Sequence, residues 1–190
     1  MQNLNLKLFL VFFLLPFFSG CALLVAAGVG TGVAISQDRR TSGMFVEDES
    51  IELKSSRRIS EKFGGKVHVD VTSFNRHVLL TGEAPSEMVK NEIEKIVAAL
   101  ENVRDVTNEI TVGEARSLAA RSNDALITSK VKARFVDGGE FHANHVKVVT
   151  EDGVVYLLGL VNQEEAQSAV DIARSTSGVR KVVKVFEYLN

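Results

Sequence analysis

One sequence pattern occurs twice in this chain, 76 to 77 residues apart, and it constrains the fold more than any other feature. An offset that changes by a single residue over several landmarks indicates an internal duplication. The body of the chain should therefore contain two copies of one structural unit. Landmarks of the first copy recur in the same order in the second: Asp48 at Asp124, Ile51 at Ile127, Val78 at Val155, Gly82 at Gly159 and Val106 at Val182.

Each copy has the pattern of a helix, two strands, a second helix and a third strand. Apolar residues four apart mark the first helix, and Asp48 and Asp124 predict its N-terminal end. Alternating apolar residues predict the strands, and Glu151-Asp152-Gly153 predicts the turn of a hairpin. In the second copy, Asn162 and Glu165 have the spacing of a capping box at the start of the second helix.

These elements predict an α+β fold with two tandem α-β-β-α-β domains, each with helices on one face of a three-stranded mixed sheet. The predicted domains are residues 45–113 (unit one) and 122–190 (unit two), with a linker at 114–121.

The N-terminal segment predicts export and lipid attachment. Residues 8–18 are almost wholly apolar but too short to span a bilayer, as in a signal peptide. Phe18-Ser19-Gly20-Cys21 resembles the bacterial lipobox, whose cysteine carries lipid such as diacylglycerol and palmitate. We therefore expect a signal peptide at 1–20, lipidation at Cys21 and a tether at 21–44. A plain secretory signal with an incidental cysteine and an uncleaved anchor are the alternatives.

The order of the elements, the glycine after the second strand and the pair Gly178-Val179 resemble the BON domain family. Two such domains behind a lipobox are similar to dual BON-domain lipoproteins of the outer membrane. This resemblance covers essentially the whole chain after the signal peptide. It implies phospholipid association, a location on the outer membrane facing the periplasm, accumulation at division sites and links to outer-membrane protein assembly.

Composition and motifs argue against several function classes. A net charge of −2 is unlike the basic surface of a nucleic-acid-binding protein. The single cysteine cannot form an internal disulfide, and no Cys/His cluster has zinc-site spacing. The sequence contains no nucleophile elbow, phosphate-binding loop or His-Glu-x-x-His motif. We therefore expect a non-enzymatic protein without metal or cofactor.

The two units differ on the sheet face opposite their own helices. In unit one this face is mostly polar, with Leu79 as the exception, whereas in unit two it is mostly apolar. An apolar sheet face of this size needs a cover. We expect unit one to pack on it through a helix, and a partner protein is the alternative. The expected interface residues are Val149, Val154, Tyr156, Leu158, Val183 and Val185.

The first helix of unit two also carries a candidate lipid-binding surface. Ile127, Val131 and Phe135 should face the core, and at about 100° per residue Leu126 lies off that face. An exposed leucine beside basic residues suits insertion among anionic headgroups, such as those of phosphatidylglycerol and cardiolipin. An ordinary solvated helix is the alternative. The candidate phospholipid-binding residues are Leu126, Ser129, Lys130, Ala133 and Arg134.

The preferred function is that of a non-enzymatic envelope lipoprotein that binds anionic phospholipids and supports outer-membrane integrity. The second hypothesis is a protein adaptor for outer-membrane assembly or other envelope machinery. Such an adaptor would use the apolar sheet face or the acidic second helix of unit one.

Overall fold

The structure is a computed structural model that describes residues 38–138 and 141–189. The expected signal peptide, Cys21 and residues 22–37 of the expected tether lie outside the described residues. In the described part of the chain, no helix is both long enough and apolar enough to cross a membrane.

The elements of unit one follow the predicted order. Its first helix is α1 (Ser42–Phe63), its hairpin consists of β1 (His68–Phe74) and β2 (His77–Ala84), and its second helix is α2 (Glu87–Ala98). The strands β3 (Asp105–Asn108) and β4 (Thr111–Val112) both pair in parallel with β2, and β1 pairs with β2 antiparallel. The last strand predicted from the sequence is therefore divided in two.

Unit two repeats this arrangement. It consists of α3 (Leu118–Gly138), β5 (Val146–Glu151), β6 (Val154–Val161), α4 (Gln163–Arg174) and β7 (Lys181–Tyr188). The sheet order is β5-β6-β7, with β5 antiparallel and β7 parallel to the central strand. The predicted α+β class is confirmed.

Local sequence explains where the second helices begin. The Ser86 side chain accepts a hydrogen bond from the backbone N–H of Val89 at the start of α2. At the start of α4, Asn162 and Glu165 each accept a hydrogen bond from the other's backbone N–H, so the predicted capping box is present.

Each unit has its own apolar core between its helices and one face of its sheet. Side chains four apart on the first helix pack against alternate residues of the two hairpin strands. The core of unit one includes Ile51, Ile59, Val78, Leu80, Ile93 and Val97. The core of unit two includes Ile127, Val131, Phe135, Val155, Leu157 and Ala169.

The predicted start of each first helix is wrong, because Asp48 and Asp124 do not mark it. Both residues lie inside helices that begin six residues earlier, at Ser42 and Leu118, and both are buried. The carboxylate of Asp124 accepts hydrogen bonds from the backbone N–H groups of Asp152 and Gly153, at 3.0 and 2.9 Å. In each unit the buried carboxylate therefore holds the hairpin turn against the first helix.

The same arrangement occurs in unit one. Asp48 accepts hydrogen bonds from the backbone N–H groups of Asn75 and Arg76, at 2.8 and 2.7 Å. All four turn residues of the two units have positive φ angles, between 49° and 67°. This left-handed conformation points successive N–H groups towards the carboxylate.

An arginine eight residues before each aspartate completes the arrangement. Arg40 donates to Asp48 and Arg116 donates to Asp124, at 2.8 and 2.7 Å. A buried carboxylate is stable when it is paired and fully hydrogen-bonded, and these contacts meet that requirement. The duplication therefore extends to Arg40 and Arg116, beyond the landmarks used to detect it.

We predict that Asp124→Asn lowers the free energy of unfolding of residues 38–190 by about 3 kcal/mol. The amide removes the charge that pairs with Arg116, and its NH₂ group can face backbone donors instead of accepting from them. Urea denaturation would measure the effect. Asp137→Asn, at an exposed position of the same helix, is the matched control. Equal effects of the two substitutions would contradict a structural role for Asp124.

Candidate functional site

The candidate lipid-binding residues lie on the side of α3 that faces away from the core. Leu126 is 60% exposed, and Ser129, Lys130 and Ala133 are also exposed. They have this position because the opposite side of the helix is fixed by the core of unit two. The Ser129 hydroxyl donates to the carbonyl of Ala125 within the helix, so this hydroxyl hydrogen is not available to donate to a ligand.

Two more apolar side chains on α3 are exposed, and sequence reasoning missed both. Leu118 is 75% exposed and Val136 is 74% exposed. They are 18 residues apart, about five complete turns, so they project in the same direction and lie about 27 Å apart. Leu126 lies between them along the helix axis, and its side chain is rotated by about 80° from theirs round that axis. This spacing was visible in the sequence and could have identified them.

Small residues fill the surface between these three side chains. Leu118, Leu126 and Val136, together with the small residues between them, form what we call the apolar stripe of α3. Lys130 and Lys132, both exposed, lie on either side of the stripe. The small residues of the stripe are Ser122, Ala125, Ser129 and Ala133.

Arg134 has a structural contact in addition to its place in the candidate site. Its Nη1 donates to the carbonyl of Ile172 and to the hydroxyl of Thr176, at 2.9 and 2.8 Å. The guanidinium therefore holds α3 to the C-terminal end of α4. A cation near the last carbonyls of a helix is electrostatically favourable. The guanidinium is thus less available to a ligand than the ammonium group of Lys130.

The six expected interface residues meet in one apolar cluster with Phe74 and Leu79 of unit one. Leu79 and Leu158 are each 1% exposed and Tyr156 is 4% exposed. Phe74 belongs to β1 and Leu79 to β2, so the contact is made by the sheet of unit one. The expectation that a helix covers this face is therefore wrong. Leu79, the apolar exception expected on the polar sheet face, enters the cluster together with Phe74.

Polar contacts surround this interface. The Lys147 Nζ lies 2.8 Å from Glu52 Oε1 on α1, and Asn75 Nδ2 donates to Glu187 Oε2 at 2.8 Å. Arg104 also pairs with Glu187 and, as the largest influence, lowers the pKa of that carboxyl. Burial, reinforced by nearby Glu109, raises the pKa of Tyr156 above its ordinary value. The Tyr156 ring belongs to the apolar cluster, and its hydroxyl donates to Glu109 Oε2 at 3.4 Å.

The first described residues of the chain contact both units. Arg39 donates to both carboxylate oxygens of Glu165 at 2.7 Å and to the carbonyl of Leu160 at 2.8 Å. These hydrogen bonds lower the pKa of Glu165. Arg40 pairs with Asp48, and its guanidinium lies 4.1 Å from the centre of the Phe74 ring. Successive arginines are therefore bound to different units.

The described residues contain no group of three His, Cys, Asp or Glu side chains that could hold a metal ion.

We predict that Leu79→Ala lowers the free energy of unfolding by about 3 kcal/mol, because it leaves a cavity between the sheets. Urea denaturation of residues 38–190 would measure the change. Met88→Ala removes a side chain of similar size that is 80% exposed, and it should have little effect. A Leu79 effect as small as the Met88 effect would show that the sheet contact contributes little to stability.

Comparison with known proteins identifies the family. The BON domain model matches residues 47–114 and 123–190. The chain is 37% identical to the outer membrane lipoprotein DolP of Haemophilus influenzae, over 92% of this chain and 91% of the relative. It is 33% identical to a 21 kDa hemolysin of Actinobacillus pleuropneumoniae, over 80% of this chain and 79% of that protein.

A more distant relative is the osmotically-inducible protein Y of Escherichia coli. It is 28% identical over 80% of this chain and 77% of that protein. The resemblance inferred from the sequence is therefore confirmed. The chain belongs to the BON domain family, as a dual BON-domain protein of the DolP group of outer-membrane lipoproteins.

Proposed function

We propose that this lipoprotein binds anionic phospholipids, such as phosphatidylglycerol and cardiolipin, through the apolar stripe of α3. The observation that carries the proposal is the exposure of Leu118, Leu126 and Val136 along one helix. A soluble helix normally covers its outer side with charged and polar residues. Here small residues fill that side, and lysines flank it, as in helices that lie in a membrane interface.

Comparison of the two units supports the same site. The positions of α1 that correspond to Leu118, Leu126 and Val136, at an offset of 76 residues, are all serine: Ser42, Ser50 and Ser60. Both first helices need the same buried side to form a core. Helix α1 also exposes apolar side chains, Val46 (66%) and Leu53 (72%), but at positions that are Ser122 and Ser129 in α3. The apolar residues at the three positions of the stripe are therefore particular to unit two, and the shared fold does not account for them.

The free energies expected from these side chains fit a reversible contact between the apolar stripe and a membrane surface. A leucine or valine side chain contributes roughly 1.5–3 kcal/mol when fully removed from water. Each lysine near an anionic surface adds about 1 kcal/mol, and salt reduces this contribution. Lipid on Cys21 would supply the stable attachment. The stripe would then select which lipids, and which region of the outer membrane, the periplasm-facing body contacts, including the division site.

We expect residues 38–190 to float with vesicles that contain phosphatidylglycerol and cardiolipin, and not with vesicles of phosphatidylcholine alone. This segment lacks Cys21, so flotation reports on the body of the protein and not on the anchor. Leu126→Ala combined with Lys130→Glu should reduce bound protein at least tenfold, because it removes apolar contact and reverses a charge. Added salt should weaken binding of the unchanged protein.

The matched control is Leu53→Ala with Lys54→Glu on α1. Leu53 is 72% exposed and Lys54 is exposed, so the pair imposes the same chemical changes outside the stripe. This variant should float like the unchanged protein. Unchanged flotation of the Leu126 and Lys130 variant, or equal loss in both variants, would refute the assignment to α3.

Of the two surfaces considered for a protein adaptor, the apolar sheet face and helix α2, only α2 is accessible. The apolar face of the unit-two sheet is occupied by Phe74 and Leu79, so it is not open to a partner. The acidic helix α2 remains accessible, and Met88 on it is 80% exposed. Contact with outer-membrane assembly machinery through α2 is therefore the second candidate function.

A further inference from the structure

A groove lies between helix α4 and the outer edge of the unit-two sheet, away from the apolar stripe of α3. It has a volume of about 500 Å³. Val170, Val179 and Val182 line it and are only partly buried, so this part of its lining is apolar and accessible. We call it the β7 groove because strand β7 forms one of its walls.

Apart from Gln167, the remaining lining residues of the β7 groove are basic. Arg174, Arg180, Lys181 and Lys184 all contribute to it, and all four are exposed. Among the residues that the structure describes, salt bridges engage only Arg180 of these four, through Asp152. A site with this concentration of positive charge is notable in a chain of net charge −2. It favours an anionic ligand.

The corresponding surface of unit one has a different chemistry, although the fold is the same. At an offset of 76 residues, Arg174 corresponds to Ala98, Lys181 to Asp105, Lys184 to Asn108 and Val170 to Glu94. The Asn108 amide donates to Glu94 Oε2 at 2.8 Å and to the carbonyl of Lys90 at 3.3 Å. Asn108 and Glu94 are therefore hydrogen-bonded to each other in unit one. The basic groove is particular to unit two.

Strand β7 also presents an open backbone edge. It has eight residues and pairs with β6, and no other strand in the described residues pairs with it. Val182 and Phe186 contact the helix-side core, so the alternation of the strand places Lys184 on the side of α4. An extended peptide could therefore pair with this edge and place its side chains near Arg174 and Lys184.

Lysines on an edge strand also prevent association with other edges. That role needs only the strand lysines. It does not account for Arg174 on α4 or for an apolar groove beside the strand. The combined features match strand addition, in which backbone hydrogen bonds provide affinity and side-chain sites provide selectivity.

We propose that the β7 groove binds an extended acidic segment of a partner polypeptide, which adds to the unit-two sheet beside β7. Carboxylates on alternate residues of this segment face Arg174 and Lys184. The proposal is independent of lipid binding by α3, because the two sites share no residue. It gives unit two a protein-binding surface that differs from α2 and from the covered sheet face.

The test uses residues 38–190 and a fluorescent eight-residue peptide of alternating Glu and Val. Fluorescence polarisation should show saturable binding that weakens with salt, and a Lys-Val peptide should not bind. Arg174→Glu with Lys184→Glu should weaken binding at least tenfold, because the reversed charges oppose the carboxylates. Methylation of alternate backbone amides of the peptide should also abolish binding, since it blocks strand pairing.

Lys54→Glu with Arg58→Glu on α1, two exposed positions outside both proposed sites, is the matched control, and it should leave peptide binding unchanged. Circular dichroism melting should show that every variant is folded, as expected for exposed positions. Absence of peptide binding, or equal binding by the doubly reversed variant, would overturn the proposal. So would equal binding of the methylated peptide. Loss of vesicle flotation instead of peptide binding in the doubly reversed variant would assign the groove to lipid and also overturn it.

Discussion

The unit-two sheet is apolar on both faces, and its own helices can cover only one of them. The other face, with Tyr156, Leu158 and Val185, would expose a large apolar surface to water. Phe74 and Leu79 exclude water from this surface, because they pack the sheet of unit one against the apolar face of the unit-two sheet. Because the sheets meet face to face, the helices of both units are left on the outside. The exposure of α3 and of the β7 groove follows from this packing.

The duplication allows the two units to share one fold and carry different surfaces. Both units use a buried aspartate, a hairpin turn with positive φ angles and an arginine eight residues before the aspartate. These contacts maintain the unit and are therefore repeated. Outside them the copies diverge: serines of α1 stand where α3 exposes Leu118, Leu126 and Val136. Unit one covers the apolar sheet face and presents α2, whereas unit two carries the apolar stripe of α3 and the β7 groove.

Electrostatic contacts join the units where the apolar cluster ends. Arg39 binds Glu165 of unit two, whereas Arg40 binds Asp48 of unit one. These arginines lie inside the expected tether of residues 21–44, so that boundary is wrong: the chain is already bound to both units at residues 39 and 40, and α1 begins at Ser42. Arg116, in the connection between the units, pairs with Asp124 and Glu151. The pKa of Glu151 is nevertheless raised, because its burial outweighs the stabilising effect of Arg116.

The sequence by itself determined the fold of each unit, the family and the apolar surface that needed a cover. The fold and the apolar surface follow from periodicity and a repeat, which residues near one another in the chain encode. The family followed from resemblance, through the order of the elements, the glycines and the lipobox. Tertiary structure decided which surface provides the cover, since Leu79 meets Leu158 only after two separate sheets have formed. It also placed Asp48 and Asp124 against distant turns, although acidic residues near a helix start usually indicate a cap. The β7 groove likewise requires α4 and β7 to be assembled, because charges spread over residues 174–184 form one site only when the helix packs beside the strand.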